Sequence, residues 1–534
     1  MDVKRTILAV ALSFAVLFLW QTYFMPKPPV NPQAPAAATQ AASDNAAESK
    51  ADAATPESTP MTMPVEEVIP AQAIVKTSIS NELISISLTN LGGKIESSTL
   101  KEYNDAAGSK GKPLVLMPEE ISAAGQTTLA ASGLTNNVLY QLVEATPTKA
   151  IYAYQTPGGI KIEKEYTLEP GHYDLELKVT IYNVSQNVVT DSLTYSTVQD
   201  FTSKESSNYV FSGPIYYTGA DLEEVALDDA AKNPKSEGAV KWTGITEKYF
   251  MMVTAPEDGK AAGAKLSTVG GNDKVIRISM DTDAFTLTPG TAKAFSSRIY
   301  VGPKLASLMK PVGLELEAAL NYGWFDAIAR PLLALLNLLY GLVGNYGIAI
   351  LILTAMIKGV FWPLSAKSYS SMAKMKELQP KVQALKEKYS KDTKRLNEEM
   401  AHLYKTYKVN PLSGCLPMLV QIPVFFALYR VLLYSIELRH APFVFWLQDL
   451  SAPDPYYITP VVMGASMFIQ QKMAPTAGTS EGQMKFMLYG MPILFTWLFK
   501  DFPAGLVVYW LMNNVLSIIQ QAFQTKRAAK AKAA

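Results

Sequence analysis

The chain has 534 residues, a formal net charge of +1 and a mean hydropathy of +0.08. Charged residues at 18% are too few for a uniform soluble protein, and a hydropathy near zero is too low for a uniform membrane protein, so the averages join two unlike parts. A single cysteine, Cys415, excludes an internal disulfide and a Cys-rich zinc site. His172, His402 and His440 are too far apart for a metal-ligand spacing.

Residues 1–25 place Lys4 and Arg5 ahead of an apolar run of ~19 residues, close to the length that spans a bilayer. The run ends in Trp20, Tyr23 and Phe24, which suit the membrane interface. A cleavable signal would have a shorter core and a small-residue site after it, so the segment reads as an uncleaved anchor. Residues 26–70 hold 20 Ala or Pro in 45 positions and no aromatic residue. Nothing there offsets the entropy of ordering, and the stretch reads as a disordered linker.

From 71 to 315 the pattern is β. Tyr173, Leu175, Leu177, Val179 and Ile181 alternate with Asp174, Glu176, Lys178, Thr180 and Tyr182, the period of a half-buried antiparallel strand. Ile84, Ile86 and Leu88 repeat it, and turn signals at Gly92-Gly93 and Gly158-Gly159 punctuate the region. One large, soluble β-sandwich is expected.

After about 320 the chain turns apolar, in segments 328–343, 346–364, 416–433, 456–469, 486–499 and 502–519. The stretch 365–413 carries +6, the tail 525–534 +4, and the 470–485 connection and residues 1–5 +1 each. These segments total +12 and leave −11 elsewhere. Positive segments belong in the cytoplasm, which requires one apolar segment not to cross. Arg330, Pro331, Asn337 and Gly341 interrupt 328–343, so a helix at 316–345 is expected to lie along the outer interface. The result is six spans, both termini in the cytoplasm and the β domain across the membrane. Residues 346–524 form the five-helix core.

Within the spans Lys358 stands out, with Thr354 four residues earlier on the same helical face. Snorkelling to the cytoplasmic interface and a functional intramembrane cation are equal readings from chemistry alone. Trp510, Asn514, Ser517 and Gln521 make one stripe of the last span, with Asn513 beside it, and Gln421 lies in the third between Pro417 and Pro423. Such stripes either glue helices together or line a wet cavity. The stretch 365–413 reads as a helical hairpin turning at 390–392, its first helix kinked at Pro380. Its basic exterior is either a solvated face or a platform for anionic partners.

Ser371-Met372-Ala373-Lys374-Met375, Leu378-Gln379-Pro380-Lys381, Asn410-Pro411-Leu412-Ser413-Gly414-Cys415-Leu416-Pro417, Gln421-Ile422-Pro423, Asp454-Pro455-Tyr456-Tyr457 and Phe502-Pro503-Ala504-Gly505-Leu506 resemble segments of the YidC/Oxa/Alb membrane protein insertases. The resemblance covers about 320–525, and the anchor and large outer domain are similar to those of its Gram-negative members. It implies a multi-domain inner-membrane protein: an α-helical transmembrane bundle with a cytoplasmic hairpin, a basic cytoplasmic tail and a periplasmic all-β supersandwich domain. It also implies a hydrophilic groove open to the cytoplasm and to lipid. Lys358 matches the groove arginine of the family, keeping the charge but losing the planar fork. Thr354 and Gln421 match a groove threonine and glutamine, and Tyr509 and Trp510 match a pair of tyrosines. Asn514 and Ser517 complete the candidate groove set. The outer domain resembles the galactose-mutarotase-like supersandwich, whose sugar enzymes use paired histidines; with His172 alone, a non-enzymatic module is expected. No cofactor is implied. The implied partners are nascent membrane proteins, the Sec translocon (SecYEG and SecDF), the lipid bilayer, and the ribosome through the basic hairpin and tail. A transporter or channel with an outer β domain is the rival reading, and would call for inverted repeats around a midplane site.

Overall fold

The structure is a computed structural model that describes residues 73–534, apart from 109–110, 118–122, 130, 203–209, 233, 237, 258–260, 391, 408, 410–415, 474–480 and 534. The predicted anchor, the whole of the linker and Cys415 lie outside the described residues.

The β region forms as its alternation dictates. Ile160–Leu168 alternates buried and half-buried positions along its whole length, and its partner Asp174–Asn183 buries Leu175, Leu177, Val179 and Ile181 almost completely. Among the described residues the strands form two large antiparallel sheets and a small two-stranded one. The first large sheet runs Lys76–Ser80, Ile84–Thr89, Lys94–Asn104, Ala123–Leu129, Leu193–Asp200, Asn272–Asp281 and Gly263–Val269, with Pro113–Met117 beside the third. The second runs Leu222–Glu224, Gly213–Tyr217, Trp242–Thr246, Phe250–Pro256, Ala292–Pro303, Asp174–Asn183, Ile160–Leu168, Lys149–Gln155 and Gln141–Ala145. Ile86 and Leu88 of the first share one core with Tyr152, Tyr166 and Tyr300 of the second, so the sheets pack face to face.

One turn holds the sheets together through a buried lysine. Gly92 and Gly93 adopt φ of +78° and +53°, and a Cβ on Gly92 would sit 2.7 Å from the Asn136 carbonyl oxygen. Lys164, fully buried, donates from Nζ to the Gly92 and Gly93 carbonyls at 2.6 and 3.3 Å. The Tyr166 hydroxyl donates to Gly93 at 2.7 Å.

Among the described residues, eight helices of nine residues or more follow: α1 (Asp326–Val343), α2 (Tyr346–Val360), α3 (Trp362–Lys388), α4 (Thr393–Thr406), α5 (Leu416–Tyr434), α6 (Ile458–Met473), α7 (Met491–Phe499) and α8 (Ala504–Ala533). A turn of α-helix at Glu481–Lys485 and a π-helical turn at Phe486–Gly490 lead into α7. By length and composition Gly323–Val343 and Ala504–Arg527 are able to cross a membrane; α2 and the start of α3 qualify as a pair bent by 65°. Val420–Tyr434 and Phe486–Phe499 are shorter apolar helices.

Two expectations are corrected. The helix expected at 316–345 begins only at Asp326, after 3₁₀ turns at Leu316–Ala319 and Gly323–Phe325, and it runs unbroken through Arg330, Pro331, Asn337 and Gly341, where the polar side chains have partners. Arg330 pairs with Asp326 at 2.6 Å, and Asn337 bonds Glu437 and the Tyr346 hydroxyl. Pro331 removes only one backbone donor. The segment 346–364 ends earlier, at Val360, because Pro363 belongs to the first turn of the next helix and Phe361 turns between them. Lys358 therefore lies in the last turn of α2.

Helices α3 and α4 make the expected hairpin, and the Asp392 carboxylate caps α4 by accepting from the Arg395 amide at 3.1 Å. Pro380 lies inside α3 without ending it. The basic tail is a continuation of α8 rather than a separate segment.

Candidate functional site

Helix α8 packs against α2, α3, α5 and α6, and its polar residues bond to each of them. Asn513 accepts from Gln421 Nε2 of α5 at 2.7 Å. Asn514, 3% exposed, donates from Nδ2 to Ser466 Oγ of α6 at 3.0 Å. Ser517 accepts from Lys358 Nζ of α2 at 2.8 Å and donates back to the Asn513 carbonyl at 2.7 Å. Gln520 donates to the Trp362 carbonyl where α3 begins, and Gln521 to the Met473 carbonyl where α6 ends. A 3.6-residue period sends neighbouring positions to different helices, so one stripe serves several neighbours. Between membrane helices such bonds contribute ~0.6–2 kcal/mol each.

Thr354 is buried, and its hydroxyl donates to the Ile350 carbonyl of its own helix at 2.6 Å. It shares a face with Lys358 but not its partner. Tyr509 is 2% exposed and stacks on Phe425, its hydroxyl beside Gln421 without hydrogen-bond geometry. Half-buried Trp510 meets Phe425 edge-on at 4.8 Å, and Phe499 and Phe495 at 5.1 and 5.7 Å. The structure thus joins Lys358 to Ser517 and Gln421 to Asn513. Asn514 is spent on α6, and Tyr509 and Trp510 flank one aromatic cluster.

The sequence reading missed Ser466, Gln520, Tyr369 and Phe425. Tyr369 of α3 lies beside Ser517. Ser466 and Gln520 are polar residues in apolar helices, a signal that was present; Phe425 among other aromatics gave none. Among the described residues no group of three or more His, Cys, Asp or Glu could hold a metal ion.

A two-sheet β domain followed by a bundle of apolar helices, joined by buried polar bonds between helices, defines a polytopic membrane protein with a large extramembrane domain. A family model described as YidC periplasmic domain matches residues 76–335, and one described as 60Kd inner membrane protein matches 338–532. The chain is 41% identical over 561 residues to the membrane protein insertase YidC of Syntrophus aciditrophicus, covering 98% of this chain and 100% of that one. It is 38% identical over 549 residues to that of Geobacter metallireducens, covering 99% of each. A crystal structure of an active YidC insertase with its first transmembrane domain resolved is similar over 84% of this chain and 93% of that one, at 18% identity and a TM-score of 0.37. The chain belongs to the YidC/Oxa/Alb family of membrane protein insertases, in its Gram-negative form with a periplasmic domain. It is a multi-pass inner-membrane protein whose work is membrane insertion and not enzymatic turnover.

Proposed function

We propose that insertion runs through a polar groove in the helical bundle in which Lys358 is the attracting cation. The observation that carries the reading is the surroundings of that ammonium. It donates to Ser517 and forms no ion pair with a carboxylate among the described residues. An acidic residue of an arriving segment supplies the missing counter-charge and lowers its own cost of leaving water. Gln421 and Asn513 offer amides beside the path, while Asn514 holds α8 to α6 around it. Half-buried Trp510 and the aromatic cluster give apolar segments a surface to follow into lipid.

Six spans, with both termini in the cytoplasm, fit the +12 and −11 division of charge. On that division α1 lies along the outer interface although its length would let it cross. Helix α2 has 15 residues and α6 has 16, or ~22–24 Å of rise against a hydrocarbon core of ~30 Å. Spans this short thin the bilayer locally and shorten the crossing. The membrane potential drives an acidic segment outward by about 2.3 kcal/mol per charge per 100 mV. Nascent membrane proteins are the substrates in this reading, alone or with the Sec translocon. The α3–α4 hairpin and the basic end of α8 face the ribosome.

The test is insertion of an acidic-tailed single-span substrate into proteoliposomes by Lys358→Arg, Lys358→Ala and Lys358→Glu. Arginine should support near wild-type insertion, alanine should reduce it several-fold, and glutamate should nearly abolish it. Insertion by the glutamate variant at the wild-type rate would falsify charge attraction.

A further inference from the structure

The connection between α5 and α6 carries an apolar tip, part of which is exposed. Residues 441–447, Ala-Pro-Phe-Val-Phe-Trp-Leu, contain no charge. Phe445 is 83% exposed, and Tyr456 and Tyr457 are 67% and 51% exposed. Phe445 and Tyr457 also hold φ of +51° and +56°, a left-handed conformation that costs a non-glycine residue ~1–2 kcal/mol.

The loop is nevertheless built with care. The Asn345 side chain, which caps α2, donates to the Phe443 and Pro442 carbonyls at 3.0 and 3.3 Å. Phe443 lies so close on Gly347 that no Cβ fits between them. Gln448 Nε2 donates to the Phe445 carbonyl at 2.6 Å. Asp454, 1% exposed, accepts from the Thr459 amide and hydroxyl at 2.7 and 2.8 Å, the Tyr456 amide at 3.0 Å and Trp446 Nε1 at 3.1 Å. These bonds tie the tip to the first turns of two helices, α2 and α6, so its depth follows theirs.

We infer that Phe445, with Tyr456 and Tyr457, is a wedge seated in the headgroup and glycerol layer of the outer leaflet. Exposure and backbone strain are two costs in water for a phenylalanine, and the first becomes a gain in lipid. Aromatic residues at the ends of spans occupy that layer in membrane proteins generally. The patch is continuous with the ends of α2 and α6, which points to lipid and not to a soluble partner. The inference rests on the reading that α2 and α6 cross the bilayer.

The test places a nitroxide at Phe445→Cys, and separately at Tyr456→Cys, in the full chain with Cys415→Ser. The protein is reconstituted in vesicles of phosphatidylethanolamine and phosphatidylglycerol. Collisions with oxygen and with a water-soluble nickel chelate are compared at two reference sites, exposed Lys232→Cys in the β domain and exposed Ala465→Cys midway along α6. The oxygen-to-nickel ratio at 445 and 456 should exceed that at 232 several-fold and fall below that at 465. A ratio equal to that at 232 overturns the wedge, as does shielding from both reagents, which would mean a protein covers the tip. A water-like ratio at 465 would overturn the membrane reading and the wedge with it; a lipid-like ratio there with a water-like 445 removes the wedge alone.

Discussion

Lys164 donates to two carbonyls of a glycine turn from inside a sandwich core, with no carboxylate partnering it among the described residues. Burial, with a smaller push from Lys94, lowers its pKa to about 7. In the unfolded chain the amine keeps its ordinary value, so between pH 7 and about 10.5 the unfolded state binds the extra proton. Stability therefore rises with pH across that window, by about 1.4 kcal/mol per pH unit for each such proton, and is flat below it. Lys304 and Lys248, both lowered to about 8 by burial, act in the same direction from pH 8 upward. Urea titration of the full chain in detergent should show the midpoint rising from pH 7 to 9.5, and Lys164→Met should remove about one proton's worth of that slope. An unchanged slope in the variant would assign the dependence elsewhere. The residue scale also marks where sequence reading stops. Periodicity put Lys358 and Thr354 on one face, but not that the hydroxyl would turn back onto Ile350 while the ammonium reached Ser517. Helical spacing gives direction; partners depend on which helix stands opposite.

Among elements, α6 and α7 cross closely at Gly464. A Cβ there would run into the Thr496 side chain and lie 3.3 Å from the Pro492 carbonyl oxygen. Thr496 is held in place by donating to that same carbonyl at 2.8 Å. Gly464→Val must push α6 and α7 apart, at ~1–3 kcal/mol for overpacking. The thermal midpoint in detergent should drop by several degrees, whereas Gly482→Val, on a glycine with open space around it, should leave it unchanged. Equal midpoints for the two variants would show that the crossing tolerates separation. Element existence was largely legible: the strands of the β domain, the hairpin and the apolar helices fall where alternation and composition put them. The break at Phe361 was legible too, since Pro363 announces a helix start, but a continuous apolar run masked it. Helix α1 was legible as a helix, but its partners Asp326, Glu437 and Tyr346, which satisfy its polar groups, were not.

At the scale of the molecule, the short segment after α5 joins the β domain to the helices. Ile436 is buried in the β-domain core, and Leu438 in the helical core. Glu437 between them accepts from Asn337 of α1 at 3.3 Å, and Arg439 donates to the Asn104 carbonyl at 2.5 Å beneath the Phe250 ring. Two cores sharing adjacent residues behave as one body. Spin labels on Lys232→Cys and Ala465→Cys, with Cys415→Ser, should give a narrow distance distribution, broadened several-fold by Ile436→Ser with Arg439→Ala. A distribution as narrow in the double variant would show that the domain is held elsewhere.

Helix α8 runs unbroken for 30 residues, ~45 Å, from Ala504 through the basic stretch to Ala533. Lys526 follows Ser517 by about two and a half turns, which puts it on the opposite side of the rod. The basic end is thus a crank handle and not a tether. An anionic surface that holds Lys526 and Arg527 holds the same helix that carries Asn513, Asn514 and Ser517, and so bears on the bonds to Gln421, Ser466 and Lys358 together. The basic end and the bond to the Lys358 ammonium are thus coupled through one helix.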